Sequence, residues 1–402
     1  MRKRVTILVT ALLLLLLIFL FNWLATDPNA PTFRPGPPQT PLPPLRYFGY
    51  EAYAEQPFAG GKVWLTTSSG TNDIHCYLFD LQSRKVLGEL KNANPLFMTE
   101  DRTKVFCQQR RIAPPVGLRE KILLFLDRKT LGKFHLAPSQ DDIDLFWLLD
   151  LKRNSGKLVG RLNQFRGFGS TTFQASPDFR YAFNKPSTGF EKPELFICDL
   201  QKETLTRVKV DGWPHGWWDG QSIVLKTSAN DFILYHVPTG TVSNSISFTT
   251  FTAFLAGLND PEARAAEAWM FPVWTGKERH LYLSKARADW PDGTSYLVKI
   301  QPPSATLELV ITNFLPEFPN HIDPTETWQL YSGTGSSYRG NGVFLRELRT
   351  GATRTLVPGD PTSSPRPSIP NFYDDTVIYI RDNALWQIDL TGSNNTRLFP
   401  SP

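Results

Sequence analysis

The chain has 402 residues, 41% of them apolar and 20% charged, with a formal net charge of +5. That apolar content excludes a chain disordered throughout, and a small positive charge with acids dispersed among the bases does not give the footprint of a nucleic-acid-binding protein. The 33 prolines and 27 glycines imply many turns.

At the amino end, Arg2, Lys3 and Arg4 precede residues 5–24, twenty positions without a charge. A helix of that length spans about 30 Å, one hydrocarbon core, and the basic flank orients it with the remainder of the chain outside the cytoplasm. The expectation is a signal-anchor over residues 1–24 that holds the protein in the cytoplasmic membrane. The alternative is a cleaved secretion signal, for which the sequence offers poor sites: Trp23 lies two residues before Ala25, and cleavage after Ala30 leaves Pro31 at the new terminus. Residues 25–46 are expected to form a linker. Eight of the seventeen residues 28–44 are proline, which favours an extended spacer reaching up to about 50 Å.

From residue 47 to 402 two half-motifs alternate. The first half opens on a proline or an aromatic residue, passes an acidic turn and enters a strand: PFAGGKVWLTT from Pro57, PLFMTEDRTKVFC from Pro95, FQASPDFRYAFNK from Phe173, PHGWWDGQSIVLKT from Pro214, PVWTGKERHLYLS from Pro272, PNHIDPTETWQLY from Pro319, and a last copy from Pro370. The second half is an apolar strand closing on an acidic or polar residue, a turn and another strand. Its copies close at Asp80, Asp127, Asp199, His236, Lys299, Glu347 and Asp389. Four short strands per unit, repeated about every fifty residues, predict an all-β propeller of seven blades, because radial stacking buries both faces of each small sheet. A further second-half hairpin at 146–162 leaves an eighth blade open. Asn259-Asp260-Pro261-Glu262 followed by ARAAEAWM predicts a helix that packs Trp269 and Met270 onto the propeller. Cys76, Cys107 and Cys198 lack metal-ligand spacing and read as core thiols, with a Cys76–Cys107 disulfide as the alternative.

Ser176-Pro177-Asp178-Phe179-Arg180-Tyr181, Trp218-Asp219-Gly220 and the strands closing on Asp-Leu resemble the Ser-Pro-Asp-Gly and Asp-Leu motifs of TolB-like propellers. The resemblance covers most of residues 47–402 and implies the fold; nothing matches the amino-terminal α/β domain of TolB, so its partners are not implied.

Signals of chemistry are few. Gly335 to Gly340 has the wrong spacing for a nucleophile elbow, Gly167-Phe168-Gly169 lacks the third glycine of a dinucleotide loop, and Asp141-Asp142-Ile143-Asp144 lacks the remaining ligands of a calcium loop and reads as a solvated acidic turn. No metal, cofactor or catalytic set is expected. The basic stretch 102–133 reads as solvated strands and loops. The predicted function is therefore that of a non-catalytic, extracytoplasmic module that binds a protein or carbohydrate at its axial face, with no nucleic-acid partner. The rival is a propeller polysaccharide lyase or glycoside hydrolase with residues drawn from several blades. In related propellers the segment after the opening proline forms the innermost strand, so that resemblance nominates Trp213, His215, Trp217, Asn320, His321 and Asn371 as ligand-binding residues near the channel; aromatic faces with a few polar groups suit a sugar or peptide.

Overall fold

The computed structural model describes residues 30–38, 45–48, 61–68, 74–99, 101–111, 143–163, 172–176, 178–185, 195–229, 231–246, 248–257, 267–275, 278–286, 296–301, 306–312, 322–323, 325, 327–333, 342–359, 370–382 and 384–400. Within them the chain is all-β apart from one helix, and its strands form seven antiparallel sheets. The first holds β1 (Thr32–Pro35), β2 (Leu45–Phe48), β3 (Lys62–Ser68), β4 (Ile74–Asp80) and β5 (Lys85–Lys91), in the order β1-β5-β4-β3-β2. The second runs through β6 (Asn94–Met98), β7 (Lys104–Arg111), β8 (Ile143–Asp150) and β9 (Ser155–Asn163). The third comprises β10 (Thr172–Ala175), β11 (Tyr181–Lys185), β12 (Leu195–Asp199) and β13 (Thr204–Val208). The fourth is β14 (Trp213–Trp217), β15 (Ser222–Lys226), β16 (Phe232–His236) and β17 (Thr241–Ile246), followed by α1 (Phe248–Ala256). The fifth contains β18 (Glu267–Thr275), β19 (Glu278–Ala286), β20 (Tyr296–Gln301) and β21 (Thr306–Thr312). The sixth has β22 (Trp328–Gly333), β23 (Gly342–Glu347) and β24 (Thr353–Val357), with an isolated bridge from Ile322 to Gln329 where the other sheets carry a first strand. The seventh is β25 (Asn371–Tyr373), β26 (Thr376–Arg381), β27 (Ala384–Asp389) and β28 (Thr396–Phe399).

Separate apolar clusters join consecutive sheets. Trp64 and Leu78 meet Val105 and Trp147 between the first and second, Phe106 and Phe146 meet Phe173 and Ala182 between the second and third, and Phe183 and Ile197 meet Trp217 and Ile223 between the third and fourth. Leu345 meets Val377 and Tyr379 between the sixth and seventh. The decisive cluster joins the ends of the series: Val63, Leu65 and Phe79 of the first sheet pack on Ile378, Leu385 and Leu398 of the seventh. Sheets that stack in sequence order with the last against the first make a propeller ring. The neighbouring first strands β6 and β10, and β14 and β18, lie against one another.

The closing Asp-Leu motif has a physical cause. Asp80, Asp150 and Asp199 end the third strand of their sheets, and one carboxylate oxygen of each accepts N–H groups two or three residues on, from Ser83, from Lys152 and Arg153, and from Gln201 and Lys202. These are Asx turns, which pin the last hairpin of the sheet. The next residue turns inward, and its N–H donates to the carbonyl just before or at the start of the second strand: Leu81 to Gly61, Leu151 to Thr103, Leu200 to Arg180, Val237 to Gln221, Leu348 to Thr327. In the seventh sheet the Thr391 hydroxyl and then the N–H groups of Ser393 and Asn394 hold Asp389 down at about 2. The fourth strand is bulged against the third in six of the seven sheets, which adds the twist that splays the outer edges.

The structure corrects four expectations. The second half of the second unit is 143–163, as β8 and β9, and not the copy closing at Asp127; the hairpin that suggested an eighth blade completes the second sheet, and 112–142 lie outside the described residues. Asp144 is not in a solvated turn. It is fully buried within β8, on the same side as Phe146 and Leu148 by the two-residue period of a strand, while Asp141 and Asp142 lie outside the described residues. The predicted helix start at 259–266 lies outside the described residues, α1 is a separate helix, and Trp269 and Met270 are strand residues of β18, which pairs over nine positions with β19. An edge strand tolerates Pro272 because only one side of it enters the ladder. Finally, the proline-rich segment 25–46 contributes strands to the first sheet. Thr32, Phe33, Arg34 and Pro35 pair with Lys91, Leu90, Glu89 and Gly88 at its outer edge. Phe33 is 5% exposed with its ring edge-on to Trp64, and its N–H donates to Asn154 Oδ1 in the β8–β9 turn of the second sheet. The prolines were expected to leave this segment a free spacer, and β1 is instead a paired edge strand.

All three cysteines are free and buried. Burial pushes the Cys76 and Cys198 thiols up to about 12 and raises Cys107 further. The thiolate is the reactive form. The folded protein is therefore expected to consume no thiol reagent at pH 8 and to consume three equivalents once denatured; fast modification of the native protein would contradict the packing of these residues.

Candidate functional site

Four of the six nominated residues fall on first strands. Trp213, His215 and Trp217 belong to β14, and Asn371 opens β25, half-buried opposite Ile378. Asn320 and His321 lie outside the described residues. Thus one strand carries three of the candidates, and Asn371 belongs to a different sheet.

The sequence WPHGW builds β14 with two devices. Gly212, at φ +150, enters the strand where a Cβ would come within 2.9 Å of Leu225 Cβ, so a side chain there is excluded. Pro214 sits on the edge strand opposite Leu225, and the register slips before Gly216, which faces Val224. His215 is the extra residue of this β-bulge, a distortion that re-aims a side chain. The imidazole meets Phe232 edge-on at 6.0 Å, and both His215 and Trp213 remain half-buried. Trp217 differs: it is 3% exposed, its Nε1 donates to the Gln174 carbonyl oxygen of the third sheet at 3.1 Å, and its ring packs on Phe183 at 5.4 Å. Its indole is engaged in joining two sheets, whereas Trp213 and His215 keep part of their surface exposed.

The bulge recurs, and this bears on His215. In β6 the register slips in the same way between Pro95 and Phe97, leaving Leu96 as the extra residue, and Leu96 is buried between the second and third sheets. The position itself is part of the repeat, then. What sets the fourth sheet apart is an imidazole where the second has a leucine.

A polar cluster that the sequence did not disclose lies on the first sheet. His75 Nδ1 is 2.9 Å from Glu89 Oε1, Glu89 Oε2 is 3.5 Å from Lys91 Nζ, and the His75 ring stacks with Tyr77 at 6.4 Å. Burial, then the Glu89 charge, pushes the Tyr77 hydroxyl up to about 12. The register that sets Tyr77 opposite Glu89 makes this cluster, and a single strand's pattern does not contain it. Among the described residues there is no group of three or more His, Cys, Asp or Glu placed to hold a metal ion.

No known protein family matches the chain, and no curated protein matches it. Solved structures do. The uncharacterised protein lmo1340 of Listeria monocytogenes aligns over 92% of this chain and 98% of its own at a TM-score of 0.51 and 10% identity. The β-propeller domain of the Trilobed protease of Pyrococcus furiosus aligns over 85% and 95% at 0.48 and 12%, and TolB of Acinetobacter baumannii over 83% and 79% at 0.36 and 14%. Identity this low speaks to fold alone. With successive sheets packed on one another and the last against the first, the chain has a β-propeller fold.

Proposed function

We propose that this protein is a membrane-anchored, extracytoplasmic propeller of seven blades that binds a protein or glycan partner at its axial face without catalysing a reaction. The seven sheets among the described residues support the blade number. Residues 5–24 and their basic flank support the anchor; they lie outside the described residues, within which no helix is long and apolar enough to cross a membrane. The observation that carries the binding reading is the bulged first strand of the fourth sheet, where Trp213 and His215 stay half-buried beside the fully packed Trp217. A flat aromatic face with an adjacent donor or acceptor matches the apolar and hydroxyl faces of a sugar, or a peptide side chain.

The test replaces Trp213, His215, Asn320, His321 and Asn371 with alanine, singly and together, and measures melting temperature beside binding in a glycan array and in native-membrane crosslinking. A specific ligand lost by these variants at unchanged melting temperature supports the site. Retained binding with a stable fold removes it, and turnover of a glycan by the purified protein overturns the non-catalytic reading.

A further inference from the structure

We infer that the outer edge of the first two sheets, around β1, is a membrane-facing surface that binds anionic phospholipid headgroups and holds the propeller edge-on to the bilayer. The inference rests on the anchor proposed above and adds to it a place and an orientation.

The first observation is the length of chain left over once β1 is docked. Thr32 pairs with Lys91, Phe33 is held by Asn154, and the Pro31 carbonyl oxygen lies 3.7 Å from the place a side chain on Gly156 would occupy. The chain is therefore fixed to both sheets from residue 31 onward. Only residues 25–30 separate that point from the end of the apolar run at Leu24. Six residues at full extension reach about 20 Å. A free proline-rich spacer over 28–44 would have allowed much more; the pairing of β1 with β5 removes that freedom and brings this edge, and no other, next to the lipid.

The second observation is the charge of the edge that is brought there. Residues 30–36, 80–91 and 150–157, which are β1, the strand it pairs with and the two turns beside it, contain seven Lys or Arg against three acids. That net of +4 stands beside +5 for the whole chain. The two signs are also arranged differently. Arg34, Arg84, Lys85, Lys152 and Arg153 are exposed, while Lys157, also exposed, is 2.9 Å from Glu203 of the third sheet. The three acids are occupied: Asp80 and Asp150 accept backbone N–H groups of their turns, and Glu89, whose side chain is 14% exposed, holds His75. Basic side chains close to an anionic leaflet gain from its surface potential, and the gain fades within a screening length of about 8 Å. An edge-on seat leaves both axial ends of the ring open to a partner.

The native thiols are buried, so a single surface cysteine can be labelled selectively. Full-length protein carrying Ser155→Cys, beside β1, the strap across the first two sheets, or Ser228→Cys, in the β15–β16 turn of the fourth sheet, is reconstituted into vesicles of phosphatidylcholine alone or with phosphatidylglycerol. Energy transfer is measured from the labelled cysteine to an acceptor on the lipid headgroups. The expected result is greater transfer from Ser155→Cys than from Ser228→Cys, increasing with phosphatidylglycerol and reduced by adding Lys152→Glu and Arg153→Glu. Equal transfer from the two positions, or no response to the anionic lipid, overturns the inference while the protein stays in the vesicles. Release of the protein by alkaline carbonate overturns the anchor, and the inference with it.

Discussion

Replacing Phe106 with alanine is expected to cost about 3–5 kcal/mol of stability, the range for deleting a buried aromatic ring. Phe106 is fully buried on β7, stacked on Phe97 at 5.0 Å and Phe146 at 5.9 Å, with Phe173 of the third sheet edge-on at 5.5 Å. Three rings lose a common neighbour, and two sheets lose the centre of their joint. The surrounding strands are tied by their own ladders, so the void can collapse only in part. Against a total of about 5–15 kcal/mol for an ordinary domain this is a large fraction. Urea unfolding followed by tryptophan fluorescence measures it, with Phe106→Leu as the milder control expected to keep most of the stability. A loss below about 1 kcal/mol would be that of a surface substitution and would remove Phe106 from the core.

The second large effect is expected at Gly88, for a local reason. A Cβ at this position would fall 2.2 Å from the Phe33 ring and 2.7 Å from the Arg34 carbonyl oxygen. The ring could turn away, but the carbonyl is backbone and moves only if β1 moves. Gly88→Ala should therefore detach the strap while β2 to β5 remain paired. The loss includes the burial of Phe33, about 2 kcal/mol for a side chain of this size. The readout is limited proteolysis: cleavage within 28–38 should become fast in the variant while the rest of the chain resists. Phe33→Ala removes the ring but leaves the Arg34 carbonyl oxygen in the way, so adding it to Gly88→Ala should not restore protection of the strap. Equal protection of the strap in Gly88→Ala and in the original protein would contradict the close approach.

The repeat was legible in the sequence because its signals are local. A carboxylate at the end of a strand caps its own turn two or three residues later, and a proline within a sheet is confined to edge strands and bulges, so Asp80, Asp199, Asp389 and Pro214 announce the sheets they belong to. What was not legible depends on pairing between distant segments. The copy closing at Asp127 and the one closing at Asp150 have the same local pattern, and only the ladder from Lys104–Arg111 to Ile143–Asp150 decides between them. The same holds for the strap, whose prolines describe an extended chain and are silent about what lies beside it. Trp269 and Met270 follow a helix-start pattern that lies outside the described residues, and only the nine-position ladder with β19 shows these two to be strand residues. At the candidate site, the aromatic cluster around His215 was visible as composition. The bulge that re-aims His215, and the bond that commits Trp217 to the neighbouring sheet, required the register of β14 against β15 and the third sheet beside it.

Among the described residues every sheet of the ring is assembled from its own consecutive stretch of chain, the first and seventh sheets meet through side chains such as Leu65, Phe79 and Leu385, and no strand is shared across that seam. In mechanical terms the ring is a bracelet with a friction clasp, and under the anchor proposed above the strap would decide where a pull from the membrane enters it. Because β1 is fastened to the first sheet by its ladder and to the second through Asn154, tension arriving at residue 30 is taken up at their joint, one position round from the clasp. Drag on an anchored propeller would therefore peel four residue pairs of β1 before it loaded the seam, and the strap would act as the fuse that yields while the bracelet stays shut.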